Sequence, residues 1–171
     1  IKTSRSTSGG CFQIWGPCTR FLSHAQVRRQ TCSSKSSAES EMAAADFILH
    51  NVVLPVYDIW ECFTQSKNPE FFFHEDNAAM VRICETGKNP TMRYLGRTHR
   101  ISIQRLYELF QQDWAKLYKE DTNKQAADIF TKCFVNPDKW QAVRHMIFIL
   151  KPAEIARFVV HHECFTYTAP K

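Results

Sequence analysis

The stretch that decides the fold is residues 70–87, which read EFFFHEDNAAMVRICETG. The short aromatic run Glu70–His74, bounded by Pro69 and by Asp76-Asn77, is typical of a buried strand. The apolar spacing that follows predicts a helix over Ala78–Glu85, and Gly87 is placed to cap its end. A buried strand that runs directly into a helix is a building unit of α/β folds.

The flanking sequence supplies the other elements of an α/β fold. Upstream, residues 9–15 and 20–23 are apolar segments separated by a Gly-Pro turn, and they predict a two-stranded hairpin. Ser36 or Ser37 can cap a following helix rich in alanine, and Pro55 is expected to kink or end it. Downstream the predicted elements are a helix over Ile101–Phe110, a strand over Ala115–Tyr118, a helix that opens near Gln125 and helical patterning from Trp140 to Leu150.

Length and composition indicate an ordinary globular chain. It has 171 residues, 44% hydrophobic, with only five glycines, which suffices for one core domain and excludes collagen-like and disordered classes. Seven cysteines without a C-x-x-C pair predict reduced thiols and a soluble intracellular protein, in the cytoplasm or nucleus. The longest apolar run, from Phe47 to Trp60, is interrupted by polar residues and is not expected to span a membrane.

The positive charge is unevenly placed along the chain. The net charge is +5, and residues 1–40 carry six Lys and Arg against the single acid Glu39. One explanation is a surface that contacts nucleic-acid phosphates through Arg20, Arg28 and Arg29. The alternatives are a solvated hairpin tip and a targeting peptide for import into an organelle.

Three acids occupy positions that draw attention. Glu41 shares a helix face with Ala44 and Ile48, at spacings of three and seven, so it is expected to point toward the sheet. Asp76 stands where the aromatic strand ends, and Asp128 stands near the start of a predicted helix. Each acid also has an ordinary explanation, as a first-turn acid or an N-cap. Together they form an oxygen-rich set that suits Mg²⁺.

Five blocks of sequence carry a more specific signal. They read RSTSGGCFQI, SSKSSAESEMAAAD, HEDNAAMVRICETGKNP, GRTHRISI and TNKQAADIFTK. In order and spacing they resemble the RNase H domain of copia-type LTR retrotransposon polyproteins, whose patterns are R-S-T-S-G, S-S-x-E-A-E-Y, D-N-x-x-A, R-T-K-H-I and Q-x-A-D-x-x-T-K. Residues 1–150 are therefore expected to form an RNase H-like domain, and residues 151–171 a C-terminal extension.

The resemblance implies an RNase H-like mixed sheet flanked by helices and an endoribonuclease that hydrolyses the RNA strand of RNA–DNA hybrids. The family's catalytic and metal-binding acids fall on Glu41, Asp76 and Asp128. Two Mg²⁺ ions, or Mn²⁺ in their place, would activate water and stabilise the leaving 3′ oxygen. Such enzymes read backbone shape and the 2′-hydroxyl rather than base edges.

The resemblance also implies that one strand is missing. In the family a D-x-D-W-A strand precedes R-S-T-S-G, supplies a fourth acid and forms the middle of the sheet. Here Ile1 lies just before Arg5, with no acid between them. The expected consequences are an open sheet, hydrolysis reduced by orders of magnitude, and completion by an upstream polyprotein segment or a protein partner. The alternative function is an inactive or domesticated chain that serves as a binding or structural subunit of a larger assembly.

Two weaker signals lead to no predicted site or processing step. His161–Cys164 reads HHEC, but adjacent ligands cannot converge on one ion and the spacing fits no zinc pattern, so no site is predicted there. A transit peptide over residues 1–40 is disfavoured because the first matching block lies inside it.

Overall fold

The computed structural model describes residues 5–16, 19–64 and 69–155. Within these ranges the chain is a mixed α/β structure with two small sheets, which confirms the predicted α/β class. Its strands and α-helices are β1 (Thr7–Gly16), β2 (Thr19–Arg29), α1 (Ser37–Ile48), α2 (Leu54–Thr64), β3 (Phe71–Glu75), α3 (Ala78–Thr86), α4 (Leu95–Thr98), α5 (Ile103–Phe110), β4 (Ala115–Lys119) and α6 (Pro137–Met146).

Each sheet contains two strands. The predicted hairpin forms, with β1 and β2 antiparallel and a register shift between Phe12 and Gln13. β3 and β4 are parallel, with Phe71 opposite Ala115. In the described part of the chain no strand joins the two sheets, so they do not form one mixed sheet. β1 and β3 are therefore each paired with a neighbouring strand along one edge only.

The first helix begins where the sequence predicts and continues further than expected. The Ser36 hydroxyl caps α1 by accepting a hydrogen bond from the Glu39 N–H at 3.2 Å. A π-helical turn over Leu49–Val53 then leads directly into α2, so Pro55 does not end the helix. Pro55 is the second residue of α2 and lies just after this π-helical turn, so its missing N–H removes one hydrogen bond from an otherwise continuous helix.

The helical stretch Ser37–Thr64 is long and apolar enough to cross a membrane by length and composition alone. This is weak evidence, because a core helix of a soluble protein meets the same criterion. The α1 part of the stretch buries Met42, Ala45 and Ile48 in the protein core. The helix is therefore compatible with a soluble protein.

The core lies where α1 packs against β1 and α3, and where α3 packs against α5. Burying a large apolar side chain contributes about 1.5–3 kcal/mol. The helix ends are well specified: Asn77 caps α3, and Gly87 ends it in the left-handed conformation at φ 66°. The largest fully buried apolar side chains are Met42, Leu49, Met80, Leu95, Leu106 and Ile147.

The predicted helix near Gln125 does not form. The segment makes only a 3₁₀ turn over Ala126–Phe130. This turn lies so close to β1 that a Cβ at Gly9 would approach the Thr131 methyl group to 2.4 Å. A short helix is not stable by itself, so this contact with β1 decides the local conformation. The helical pattern that follows is found in α6, which begins at Pro137 and ends at Met146.

Candidate functional site

A cavity of about 770 Å³ lies between the two sheets and is lined by residues of β1, β3 and α1. Its α1 wall includes Glu41, Ala44 and Ile48, the residues that the helical spacing places on one face. Asp76 and Asp128 line the same cavity. The structure therefore brings the three predicted acids to one place, although 87 positions separate the first from the last.

Each of the three acids comes from a different element. Glu41 lies on α1, and Asp76 lies directly after β3. Asp76 is not the cap of α3, because the Asn77 side chain accepts the capping hydrogen bonds from the N–H groups of Ala79 and Met80, both at 3.1 Å. Asp128 is buried in the 3₁₀ turn after β4. The N-cap explanation for Asp76 is therefore excluded.

The charges of these acids interact. Burial raises the pKa of Glu41, and the neighbouring carboxylates of Asp76 and Asp128 raise it further, while the Lys132 ammonium opposes them. The same ammonium lies 2.7 Å from Asp128 Oδ2 in an ion pair. The cavity thus gathers negative charge that the Lys132 ammonium only partly offsets at Glu41.

A fourth acid, Glu75, was missed by the sequence reasoning. It is 5% exposed at the end of β3, it lines the same cavity, and it accepts a hydrogen bond from the Asn77 N–H at 2.9 Å. Burial, followed by the charges of Glu41 and Asp76, raises the pKa of Glu75 to about 7. The signal was present in the sequence, because the two-residue period of a strand places Glu75 on the face of buried Phe71.

Glu75→Gln is expected to remove a pH dependence of stability. Because the folded chain holds this proton up to about pH 7 and the unfolded chain loses it near 4.5, stability falls as pH rises between these values. The variant should be more stable above pH 7, by at most about 3 kcal/mol. Urea unfolding from pH 4.5 to 8 measures this difference. Parallel profiles for the two proteins would contradict the prediction.

The acids have the right chemistry for Mg²⁺, but they do not form a metal-binding group in this structure. Among the described residues no group of three or more His, Cys, Asp or Glu side chains is arranged to hold a metal ion. The ammonium of Lys132 neutralises Asp128 directly. The expectation that the three carboxylates lie within reach of one metal site is therefore not met. His161–Cys164 lies outside the described residues.

Arg20 has a structural role. Its guanidinium stacks between the rings of Trp15, at 3.5 Å, and Phe148, at 4.3 Å, and donates a hydrogen bond to the Met146 carbonyl at 3.3 Å. Burial lowers the pKa of Arg20 to about 10. Arg20 thus ties the hairpin to the end of α6, whereas Arg28 and Arg29 are exposed on β2.

A second basic region was also missed. Residues 86–107 contain five Lys and Arg and no acid, a pattern that a charge count along the sequence reveals. Arg105 forms an ion pair with Asp46 at 3.1 Å. Lys88 and Arg93 line a second cavity of about 590 Å³. Four cations of this segment are exposed and form no ion pair with another described residue: Lys88, Arg93, Arg97 and Arg100.

Glu39, two residues before Glu41 on α1, is 1% exposed. Its carboxylate accepts hydrogen bonds from the Lys35 N–H at 2.8 Å and the Tyr94 hydroxyl at 2.9 Å, and it pairs with His99 Nε2 at 2.9 Å. Burial alone would raise the pKa of Glu39, but these contacts outweigh it and hold the pKa below its ordinary value. Glu39 therefore joins α1 to the α4 region.

Comparison with protein-family models, with curated proteins and with solved structures finds no match to this chain. The identification with copia-type RNase H domains thus stays a prediction from the five sequence blocks. The geometry of the site and those blocks are the basis for a functional conclusion.

Proposed function

We propose that this chain is an RNase H-like module of a retroelement polyprotein that hydrolyses the RNA strand of RNA–DNA hybrids. The observation that supports the proposal is the meeting of Glu41, Asp76 and Asp128 at one cavity, from three elements distant in sequence. These are the acids that the sequence blocks align with the family's catalytic positions. The interaction of their charges, expressed in the raised pKa of Glu41, adds independent support.

The proposed cofactor is Mg²⁺, as two ions, with Mn²⁺ as a substitute. Its ligands would be Glu41, Asp76 and Asp128, and when bound it would stabilise charge at the phosphate being cleaved. These carboxylates do not form a metal-binding group in this structure, and the Lys132 ammonium forms an ion pair with Asp128. The Lys132 ammonium offsets part of the negative charge that the acids place on the cavity.

The proposed location is intracellular, in the cytoplasm or nucleus. All five cysteines in the described ranges are free: Cys11, Cys32, Cys62, Cys84 and Cys133. Free thiols are typical of proteins in reducing compartments.

Cleavage of a labelled RNA–DNA hybrid in Mg²⁺ or Mn²⁺ tests the proposed activity. Two proteins are compared: this chain, and the same chain extended upstream by a D-x-D-W-A segment that supplies the fourth acid. We expect the extended protein to cut the RNA strand and this chain to be slower by orders of magnitude. Duplex DNA and single-stranded RNA serve as substrate controls. If neither protein cuts the hybrid, the enzymatic proposal fails.

A second candidate function is a binding or structural subunit without activity. The ion pair between Lys132 and Asp128, at 2.7 Å, favours it, since a committed cation at this position competes with a metal. This candidate predicts that both proteins bind the hybrid and that neither cuts it. The cleavage assay therefore separates the two candidates.

Hybrid binding is expected to depend on the basic segment 86–107. Replacing Lys88, Arg93, Arg97 and Arg100 with Gln should weaken binding and reduce the salt slope by roughly 0.9 for each phosphate that the protein no longer neutralises. Fluorescence anisotropy in EDTA across a salt series measures both quantities. Arg28→Gln combined with Arg29→Gln is the matched control on the hairpin, and a larger effect there would contradict the prediction.

A further inference from the structure

The second cavity lies apart from the acid-lined cavity and shares no lining residue with it. Its volume of about 590 Å³ lies within the range of roughly 300–1,000 Å³ that ligand-binding clefts occupy. Residues 87–93, in the loop that follows α3, line one part of it. Residues 95–104, from α4 to the start of α5, line the rest.

Aliphatic side chains form the deep part of this cavity. Met92, Leu95 and Ile101 line it and are at most 9% exposed, and the half-buried Ile103 extends the apolar surface. Methionine adapts its shape to the group packed against it. No lining residue is aromatic, so a nucleobase would find no ring on which to stack. The lining therefore suits aliphatic side chains of a ligand.

Cations stand at the exposed part of the same cavity. Lys88 and Arg93 line it, both are exposed, and neither forms an ion pair with another described residue. No acid lines the cavity, and residues 86–107 contain none that could neutralise these cations. A guanidinium group pairs with a carboxylate through two parallel hydrogen bonds. Charge complementarity thus favours an acidic ligand.

Hydrogen bonds within the two lining segments hold the cavity in shape. The Asn89 side chain accepts a hydrogen bond from the Thr91 N–H at 3.0 Å and fixes the loop after α3. The Ile101 N–H donates to the Leu95 carbonyl at 3.4 Å and closes the chain between α4 and α5. Walls that are already ordered lose little entropy when a ligand binds.

We propose that the second cavity is a docking site for an acidic peptide segment of a partner protein. Aliphatic side chains of the segment fill the apolar part, and neighbouring Asp or Glu side chains pair with Lys88 and Arg93. A phosphodiester backbone would match the two cations but would leave the apolar side chains uncovered. This inference goes beyond the proposed function and requires neither a metal nor catalysis.

A synthetic peptide tests the docking site directly. The probe is a short fluorescein-labelled peptide in which acidic residues flank a pair of leucines. Fluorescence anisotropy in EDTA measures its binding to the full chain, and NMR maps the backbone amides whose chemical shifts change. We expect binding, with the largest shift changes within residues 87–104. Absence of binding, or shift changes confined to other parts of the chain, would overturn the proposal.

Two control peptides separate docking from weaker kinds of attraction. In one, Asn and Gln replace the acids, and in the other, Ser replaces the leucines. Each should bind at least about tenfold more weakly than the parent peptide, because one loses the charged hydrogen bonds and the other the burial of apolar surface. A control that binds as tightly as the parent would mean apolar adsorption in the first case and charge attraction alone in the second, and either result would overturn the proposal.

Arg93→Glu and Arg97→Glu form a matched pair of protein variants. Both arginines are exposed and lie four positions apart in the same basic segment, but only Arg93 lines the cavity. Arg93→Glu should weaken peptide binding by at least about tenfold. Arg97→Glu should weaken it by less than about threefold, since salt screens a charge that does not touch the peptide. Equal losses would mean that binding follows the overall charge of the segment, and the docking site would be refuted.

Nucleic-acid binding is the other outcome of these measurements. If the RNA–DNA hybrid changes the amide shifts of residues 87–104 and the acidic peptide does not, the cavity contacts nucleic acid and the peptide proposal is wrong. Hybrid cleavage without peptide binding would refute only this inference. Peptide binding without hybrid cleavage would support this inference and refute only the proposed enzymatic function.

Discussion

Glu39→Ala is expected to destabilise the fold by about 3 kcal/mol or more, because a hydrogen bond to a charged group contributes about 1.5–3 kcal/mol and this carboxylate accepts three of them. The Glu39 carboxylate is 1% exposed, and the His99 side chain that pairs with it is 3% exposed. Alanine would leave that imidazole, the Tyr94 hydroxyl and the Lys35 N–H without their acceptor. Urea unfolding followed by circular dichroism measures the decrease in stability.

The matched control for this prediction is Glu41→Gln, two residues along the same helix. Because burial and neighbouring carboxylates raise the pKa of Glu41, its charge does not stabilise the fold, and the variant should be as stable as the parent or more so. Equal losses of stability for the two variants would contradict the structural role assigned to Glu39.

We also expect the carboxylate of Glu39 to make the stability of the fold sensitive to acid. Its pKa is lowered in the folded chain from an ordinary value of 4.5, so its stabilising effect is complete above that value. The effect is lost as pH falls through the lowered pKa, where the carboxylate takes up a proton in the folded state. Glu39→Ala should therefore show a flatter decline of stability below pH 4.5 than the parent. If the stability of Glu39→Ala fell as steeply below pH 4.5 as that of the parent, the hydrogen bonds assigned to the Glu39 carboxylate would be contradicted.

The second large effect is expected on catalysis. In the chain extended by a D-x-D-W-A strand, Glu41→Gln, Asp76→Asn and Asp128→Asn should each lower hybrid cleavage by at least about 100-fold, since even outer partners of metal ligands contribute 10–100-fold. The physical reason is that all three acids line the one cavity where the phosphate would be cleaved. Steady-state kcat/KM on a labelled hybrid is the measurement.

Glu70→Gln provides the control for these three variants. Glu70 lines the same cavity and is exposed, but it precedes β3, whereas Asp76 follows it. A strand of this length separates the two ends by about 17 Å, so Glu70 is too far away to join the other acids. Its replacement should leave kcat/KM within about twofold, below what a single hydrogen bond contributes. A decrease as large as that of Glu41→Gln would mean that overall charge, not position, controls activity.

Local signals in the sequence were sufficient for most of the elements. Ser36 caps α1, Gly87 ends α3 and the aromatic run forms β3, because capping, left-handed backbone and strand burial depend on nearby residues. The predicted helix end at Pro55 was wrong, because a π turn keeps the chain helical there. The predicted helix near Gln125 was also wrong, because the segment contacts β1 and forms a 3₁₀ turn. Near Gln125, packing against β1 overrides the helical propensity.

In the candidate site, too, local sequence patterns predicted some features and tertiary contacts decided the others. Helical spacing was enough to place Glu41 on the cavity face of α1, because a face is a local property. Helical spacing did not reveal that Glu39 would be buried. The Glu39 carboxylate pairs with Tyr94 and His99, which lie more than 50 positions away in sequence. Period-two alternation in β3 would have identified Glu75 as an inward acid, had the strand been extended by one residue.

The sequence by itself determined the α/β class, the hairpin and the helix caps, and it drew attention to Glu41, Asp76 and Asp128. Each of these depends on patterns within a few residues or on the order of short motifs. Only the tertiary structure decided that the two sheets stay apart, that the acids share a cavity without forming a metal-binding group, and that Glu39 and Arg20 hold the fold together. Those outcomes depend on contacts between distant segments, whose burial and charge no local pattern specifies.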